Sequence, residues 1–176
     1  LFLYSEQQDT GKSIFHEAIG GLLFKDRLGY VKGEVALTSQ SRFSGELENA
    51  IFVSVEELDL NSHKDAYNRI KDWVTSKTIL IHPKGKTPYE MPNTTHWVQT
   101  ANAQDHCPTL PGDTRIVICE VPQLEHPIPK PELLALLEVE GPAITWELMH
   151  REIPRSPSRL RVPIVTSAQK LEAESA

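Results

Sequence analysis

Short apolar runs alternate along the chain with segments whose apolar residues recur at helical spacing. The runs that predict strands are 1–4, 29–31, 35–37, 50–55, 78–81, 87–91, 96–101 and 115–121. The segments that predict helices are 12–24, 43–49, 63–74 and 132–150, the last with an interruption at Gly141-Pro142. The run 50–55 is almost wholly apolar, which is typical of a central parallel strand that is covered on both faces.

This alternation predicts an α/β fold, in which helices flank a central, mainly parallel sheet and ligands bind at the carboxyl ends of the strands. A chain of 176 residues is long enough to bury the core of one domain, which we place at residues 1–150. Beyond Pro154 the chain is rich in Pro, Ser and Arg, and we expect residues 151–176 to form an extended or partly disordered tail.

Composition and charge argue against several classes of protein. No apolar run approaches the ~18–20 residues that cross a bilayer, so we expect no membrane contact. The two cysteines, Cys107 and Cys119, are too few for a disulfide framework and favour a reducing, intracellular setting. The formal net charge of −6 argues against a surface dedicated to duplex DNA.

The charge is distributed unevenly. Residues 64–86 carry six basic and two acidic side chains, or +4, which leaves −10 on the rest of the chain. This segment is either a confined anion-binding track or a solvated helix face followed by a charged hairpin, and charge alone leaves both open.

A candidate phosphate loop, Asp9-Thr10-Gly11-Lys12-Ser13, lies between the first predicted strand and the first predicted helix. In such loops backbone N–H groups bind phosphate oxygens, and this setting predicts that Lys12 reaches the β- and γ-phosphates while Ser13 ligates Mg²⁺. Glu6 stands where the strict motif has its first glycine, so a coincidental helix start remains the alternative.

Polar residues follow two other predicted strands. If the strand that ends at Glu56 and Glu57 neighbours the first strand, one acid would hold Mg²⁺ and the other would polarise an attacking water. Asn102 follows the run 96–101 and can orient that water or the γ-phosphate. The alternatives are solvated acids at a strand end and an ordinary turn asparagine.

Two further features concern partners. Arg115 is a candidate arginine finger for a neighbouring subunit, or else a surface ion pair with Asp113. The runs 78–81 and 87–91 predict a hairpin, and His82, Lys84 and Lys86 near its tip have the charge to contact a nucleic-acid backbone.

In this order the motifs resemble those of superfamily 3 helicases, and more narrowly the ATPase domain of phage and plasmid primase-helicases. The resemblance covers about residues 1–150. The segments that carry it are 10–18 (Thr-Gly-Lys-Ser-Ile-Phe-His-Glu-Ala), 53–57 (Val-Ser-Val-Glu-Glu), 68–75 (Asn-Arg-Ile-Lys-Asp-Trp-Val-Thr), 92–97 (Pro-Asn-Thr-Thr-His-Trp) and 111–115 (Pro-Gly-Asp-Thr-Arg).

The resemblance implies a P-loop NTPase domain of the AAA+ type that hydrolyses ATP with Mg²⁺. It further implies a hexameric ring with ATP between subunits, single-stranded DNA in the channel, and a cytoplasmic location in a bacterial or phage-infected cell. The residues that match are Lys12 and Ser13 of the phosphate loop, the acids Glu56 and Glu57 with Glu57 as base, the sensor Asn102, the arginine finger Arg115, and the DNA-contacting hairpin with His82, Lys84 and Lys86.

Two other functions stay open. The departure at Glu6 is compatible with a module that binds nucleotide or nucleic acid after losing hydrolysis. A P-loop phosphotransferase for a small molecule is the third hypothesis, although the sequence has no arginine-rich lid.

Overall fold

A five-stranded parallel sheet organises the domain. The computed structural model describes residues 1–23, 29–40, 43–107, 113 and 115–152. The strands of this sheet are β1 (Phe2–Tyr4), β2 (Tyr30–Lys32), β3 (Phe52–Glu56), β6 (His96–Ala101) and β7 (Ile118–Glu120), in the order β2-β3-β6-β1-β7. All four neighbouring pairs are parallel. The predicted α/β class with a parallel sheet is therefore confirmed.

Helices pack against this sheet. They are α1 (Lys12–Ala18), α2 (Glu34–Thr38), α3 (Lys64–Thr75) and α4 (Lys130–His150). The first four residues of β3 are buried, as expected for a strand between two neighbours. Helix α1 continues into a π-helical turn at Ile19–Leu23, so the helix expected to reach residue 24 changes its hydrogen-bond pattern after Ala18.

The run 35–37 was wrongly predicted as a strand and instead lies in α2. Ala36 and Leu37 are each 1% exposed whereas Val35 is 65% exposed, so one face of a helical turn is buried. Three apolar residues carry too little periodicity to separate the two structures. Arg69 then fixes the end of α2, because its Nη1 donates to the carbonyls of Ala36, Leu37 and Ser39 at 2.9–3.1 Å.

The segment 43–49 forms a 3₁₀ turn at Gly45–Leu47. It is therefore shorter than the brief helix that the sequence predicts. Leu47 is buried as expected.

Helix α4 runs without interruption through Pro142, contrary to the predicted break at Gly141-Pro142. Pro142 cannot donate a hydrogen bond to the carbonyl of Glu138, but Glu138 is exposed, so water can bind that carbonyl. The hydroxyl of Thr145 also donates to the Gly141 carbonyl at 2.8 Å. Of the predicted tail, residues 153–176 lie outside the described residues. No helix in the described part of the chain combines the length and the apolar character that a membrane span requires.

The predicted hairpin is confirmed as a separate antiparallel pair, β4 (Thr78–Ile81) with β5 (Tyr89–Pro92). Asn93 joins it to the body of the domain. Its Nδ2 donates to the carbonyls of Trp73 at 2.5 Å and Ser76 at 3.0 Å, and its Oδ1 accepts from the backbone and hydroxyl of Thr95. The segment after β5 is thus tied to the end of α3 and to the start of β6.

The fold makes a prediction about thiol reactivity. Cys107 is 4% exposed, and burial raises its pKa from an ordinary value of 9.0 to about 12. Because the thiolate is the nucleophile, its reactive fraction at neutral pH falls by roughly three orders of magnitude. We expect iodoacetamide to label the partly exposed Cys119 well before Cys107, as read by mass spectrometry. Labelling in urea is the control, and equal rates in the native protein would contradict this burial.

Candidate functional site

The phosphate loop, the two acids and Asn102 come together at the carboxyl edge of the sheet, where β1, β6 and β3 end. The condition that β3 neighbours β1 is not met, because β6 lies between them. The phosphate loop therefore follows β1, Asn102 follows β6, and Glu56 and Glu57 come at the end of β3. This order places the amide between the loop and the acids.

The loop from residue 5 to residue 11 turns through two residues with left-handed backbone. Gly11 has φ +85°, a left-handed conformation that favours glycine, and Asp9 also lies in this region with φ +57°. Glu6 is not among the residues with positive φ, so its backbone does not require the glycine of the strict motif. The backbone N–H groups of Gln8, Asp9 and Thr10 donate no hydrogen bond to any described residue.

Lys12 crosses its own loop. Its ammonium donates to the carbonyls of Ser5 and Gln7 and to the hydroxyl of Thr10, each at 3.4 Å. These hydrogen bonds are long, so an incoming anion has little to displace. Partial burial lowers the pKa of Lys12, and the carboxylate of Glu57 opposes that shift.

Glu57 adopts a strained backbone at the end of β3. Its φ is +51°, which is uncommon for a residue with a side chain, and its N–H donates to the Thr100 carbonyl at 2.9 Å. The Nδ2 of Asn102 donates to Glu57 Oε1 at 3.1 Å. The predicted acid and the predicted amide are therefore in contact, and both are exposed to solvent.

Glu56 lies in a different environment from Glu57. The ammonium of Lys32 contacts its Oε1 at 2.7 Å, and the Nε2 of His16 lies 3.9 Å from the same oxygen. The backbone N–H of Glu56 donates to Glu34 Oε1 at 2.7 Å. The hydrogen bond from Lys32 is the main reason that the pKa of Glu56 is lowered.

His16 belongs to a buried polar chain that sequence reasoning missed. Its Nδ1 lies 3.3 Å from the hydroxyl of Tyr30, which lies 3.0 Å from the hydroxyl of Ser54. His16 is 1% exposed, and its Nε2 has no hydrogen-bond partner among the described residues. Its helical position gave no sign that β2, β3 and α1 meet here.

Arg115 lies at the opposite edge of the sheet. It precedes β7, whose Ile118 is in register with Phe2 at the start of β1. Its guanidinium donates two hydrogen bonds to Asp113, at 2.8 and 2.7 Å. The ion pair that we considered from the sequence is therefore present, and a role toward a neighbouring subunit stays a prediction.

The basic hairpin tip separates into two kinds of residue. The ring of His82 packs edge-on against Phe43 with centroids 5.0 Å apart, while Lys84 and Lys86 are exposed. Gly85, between the two lysines, has φ +75° and forms the turn. Of the three predicted contacts, the two lysines are free to meet a polyanion, and His82 also has a packing role.

The sequence matches the model of one family, described as a family of unknown function and designated DUF5906, over residues 3–115. The chain belongs to this family. No curated protein matches it significantly.

Solved structures of the C-terminal region of NrS-1 share the fold. An apo structure aligns with a TM-score of 0.78 and 20% identity, covering 99% of this chain and 42% of that chain. Two A-form apo structures give TM-scores of 0.74 and 0.77 with identities of 20% and 19%. They cover 99% of this chain and 40% and 41% of those chains. This chain thus spans about two fifths of the length of those solved chains.

Proposed function

We propose that this domain is the ATP-hydrolysing motor of a DNA helicase that acts in the replication of a phage or related mobile element. The proposal extends to a P-loop NTPase fold of the superfamily 3 type. The observation that carries it is the approach of three predicted groups at one sheet edge. The carboxylate of Glu57 raises the pKa of Lys12 against the effect of burial, and it accepts a hydrogen bond from Asn102 at 3.1 Å.

Each group has a chemical role in the proposal. The unpaired N–H groups of the loop and the Lys12 ammonium bind the phosphates, and Lys12 stabilises the charge that develops on the transferred phosphoryl group. Glu57 polarises the attacking water, and Asn102 holds the Glu57 carboxylate in place. The positive φ of Glu57 is uncommon for a residue with a side chain, and backbone strain of this kind clusters at functional sites.

The residues also suit Mg²⁺. Hydroxyl and carboxylate oxygens are the ligands that this ion prefers, and we assign Ser13 and Glu56 to hold it. Ser13 is exposed on the first turn of α1, and the Glu56 side chain is 34% exposed. When bound, Mg²⁺ neutralises charge on the phosphate oxygens.

The test is ATP hydrolysis by the full-length natural polypeptide, with and without single-stranded DNA. We expect turnover that rises with DNA and depends on protein concentration, as a ring with Arg115 supplied in trans requires. Nucleotide binding without turnover would support the hypothesis of a module that has lost hydrolysis. Transfer of the labelled γ-phosphate to a small molecule instead of water would support a phosphotransferase.

The hairpin gives a separate prediction for DNA binding. Replacing Lys84 and Lys86 by glutamine is expected to weaken single-stranded DNA binding and to reduce the slope of log K against log salt concentration by ~1.4. Each lost phosphate contact on a single strand accounts for ~0.7 of that slope. Fluorescence anisotropy at several salt concentrations measures it.

A matched control removes the same charge elsewhere. Lys64 and Lys77 are exposed outside the hairpin tip, and their double replacement by glutamine should leave the slope nearly unchanged. Equal effects of the two double variants would show that net charge, and not the hairpin, governs binding.

A further inference from the structure

Lys32 and Glu56 form an ion pair at the proposed metal site. Each is the last residue of its strand, and the parallel register of β2 and β3 pairs Lys32 with Ser54. Glu56 lies two residues beyond Ser54 and thus on the same face of the sheet. This placement brings the ammonium within 2.7 Å of Glu56 Oε1.

Two further side chains lie close to Glu56. Glu34, at the first turn of α2, accepts the backbone N–H of Glu56, and buried His16 stands 3.9 Å from the carboxylate. Glu57, the next residue, makes no ion pair with any described residue and accepts a hydrogen bond from the Asn102 amide instead. The two neighbouring acids are therefore unequal, and Glu56 already has a positive partner.

Lys32 is the more exposed member of the pair. Its side chain is 63% exposed, compared with 34% for Glu56, so it can turn into solvent at small cost. The ammonium nitrogen lies 2.7 Å from Glu56 Oε1, so the two groups form a direct ion pair. A cation that binds Glu56 must compete with this ammonium for the same carboxylate.

We propose that Lys32 is a built-in counter-ion, which occupies Glu56 until a divalent cation displaces it and which thereby sets the Mg²⁺ concentration that nucleotide binding requires. This inference rests on the proposed function, because it assigns Glu56 to the metal. Lys32 acts here through its ion pair with Glu56. The displaced ammonium returns to solvent.

The experiment is a Mg²⁺ titration of the binding of a fluorescent ATP analogue to the full-length protein. Lys32→Gln is expected to lower the half-maximal Mg²⁺ concentration by about two- to five-fold, the range that follows from an exposed ion pair. Nucleotide affinity at saturating Mg²⁺ should stay unchanged. Lys32→Arg keeps the charge and should keep the Mg²⁺ requirement of the wild type.

The control variant is Lys130→Gln. Lys130 is 56% exposed and pairs with Glu17 at 2.8 Å, so this change removes an equivalent ion pair and the same charge. Lys130 acts on Glu56 only through its charge and makes no ion pair with it, so this variant measures the effect of longer-range charge alone. It should leave the midpoint near that of the wild type.

The outcomes separate the two proposals. An unchanged or higher midpoint in Lys32→Gln, with nucleotide still bound, would overturn the counter-ion role and leave the proposed function standing. Equal shifts in Lys32→Gln and Lys130→Gln would also overturn it, because general charge would then explain both. A wild-type protein that binds no nucleotide at any Mg²⁺ concentration would overturn the proposed function, and this inference with it.

Discussion

Lys12→Ala is expected to lower ATP turnover by about 100- to 1000-fold, equivalent to ~2.7–4 kcal/mol of transition-state stabilisation, by analogy with the loss of one preorganised charge-stabilising donor. In the free protein the ammonium makes only long hydrogen bonds to its own loop, so its removal should cost the fold little. The effect should therefore appear in catalysis and not in stability. Steady-state hydrolysis and urea unfolding, measured on the same preparation, check both parts.

The control for this prediction is Lys64→Ala on α3. Lys64 is exposed and lies outside the loop, so its removal changes the net charge equally and should leave turnover near the wild-type value. Full turnover in Lys12→Ala would contradict the phosphate-binding role of the loop. Loss of turnover with a matching loss of unfolding free energy would assign Lys12 to the fold.

Asn93→Ala is expected to destabilise the domain by ~2–4 kcal/mol. The side chain is 9% exposed and forms hydrogen bonds with the C-terminal end of α3 and with Thr95. A buried bond contributes ~1 kcal/mol, and partners left unsatisfied cost more. The shift of the urea midpoint, with an unchanged denaturant slope, measures this loss.

Asn68→Ala is the matched substitution on the exposed face of α3, where we expect a change within ~0.5 kcal/mol. A loss in Asn93→Ala no larger than that in Asn68→Ala would mean that Asn93 is not a structural tie.

The elements that the sequence predicts well are those with long, unbroken patterns. β4 and β6 were predicted with their observed bounds, and α3 within one residue at each end. The antiparallel hairpin followed from the short basic turn between two runs. The segment 35–37 failed because three residues fit a strand and a helical turn equally well.

The order of the strands in the sheet cannot be predicted from the local pattern of apolar and polar residues. The position of β6 between β1 and β3 depends on contacts between residues about 45 and 100 positions apart. The sequence indicated that the loop, the acids and Asn102 share one edge of a sheet. It did not indicate that the amide of Asn102 would reach Glu57.

The cation pair at Glu56 was missed for a related reason. Lys32 and Glu34 belong to a loop-rich region with weak strand signal, and no spacing links them to Glu56 before β2 and β3 are paired. The departure at Glu6 looked like a defect in the motif by sequence alone. The backbone explains it, since Asp9 and Gly11 adopt the left-handed conformations.

The junction at Asn93 also has a mechanical consequence. From Lys86 at the hairpin tip the chain runs through β5 and Asn93 into β6. Asn102 follows β6 directly and contacts Glu57. The junction is braced by the Asn93 hydrogen bonds and by the stacked rings of Trp73 and Trp97, whose centroids are 5.5 Å apart. A displacement of the hairpin would therefore be passed to β6, which lies between β3 and β1, through a short and well-packed connection. In the proposed motor, this connection would couple the DNA-contacting hairpin to Asn102 at the nucleotide site.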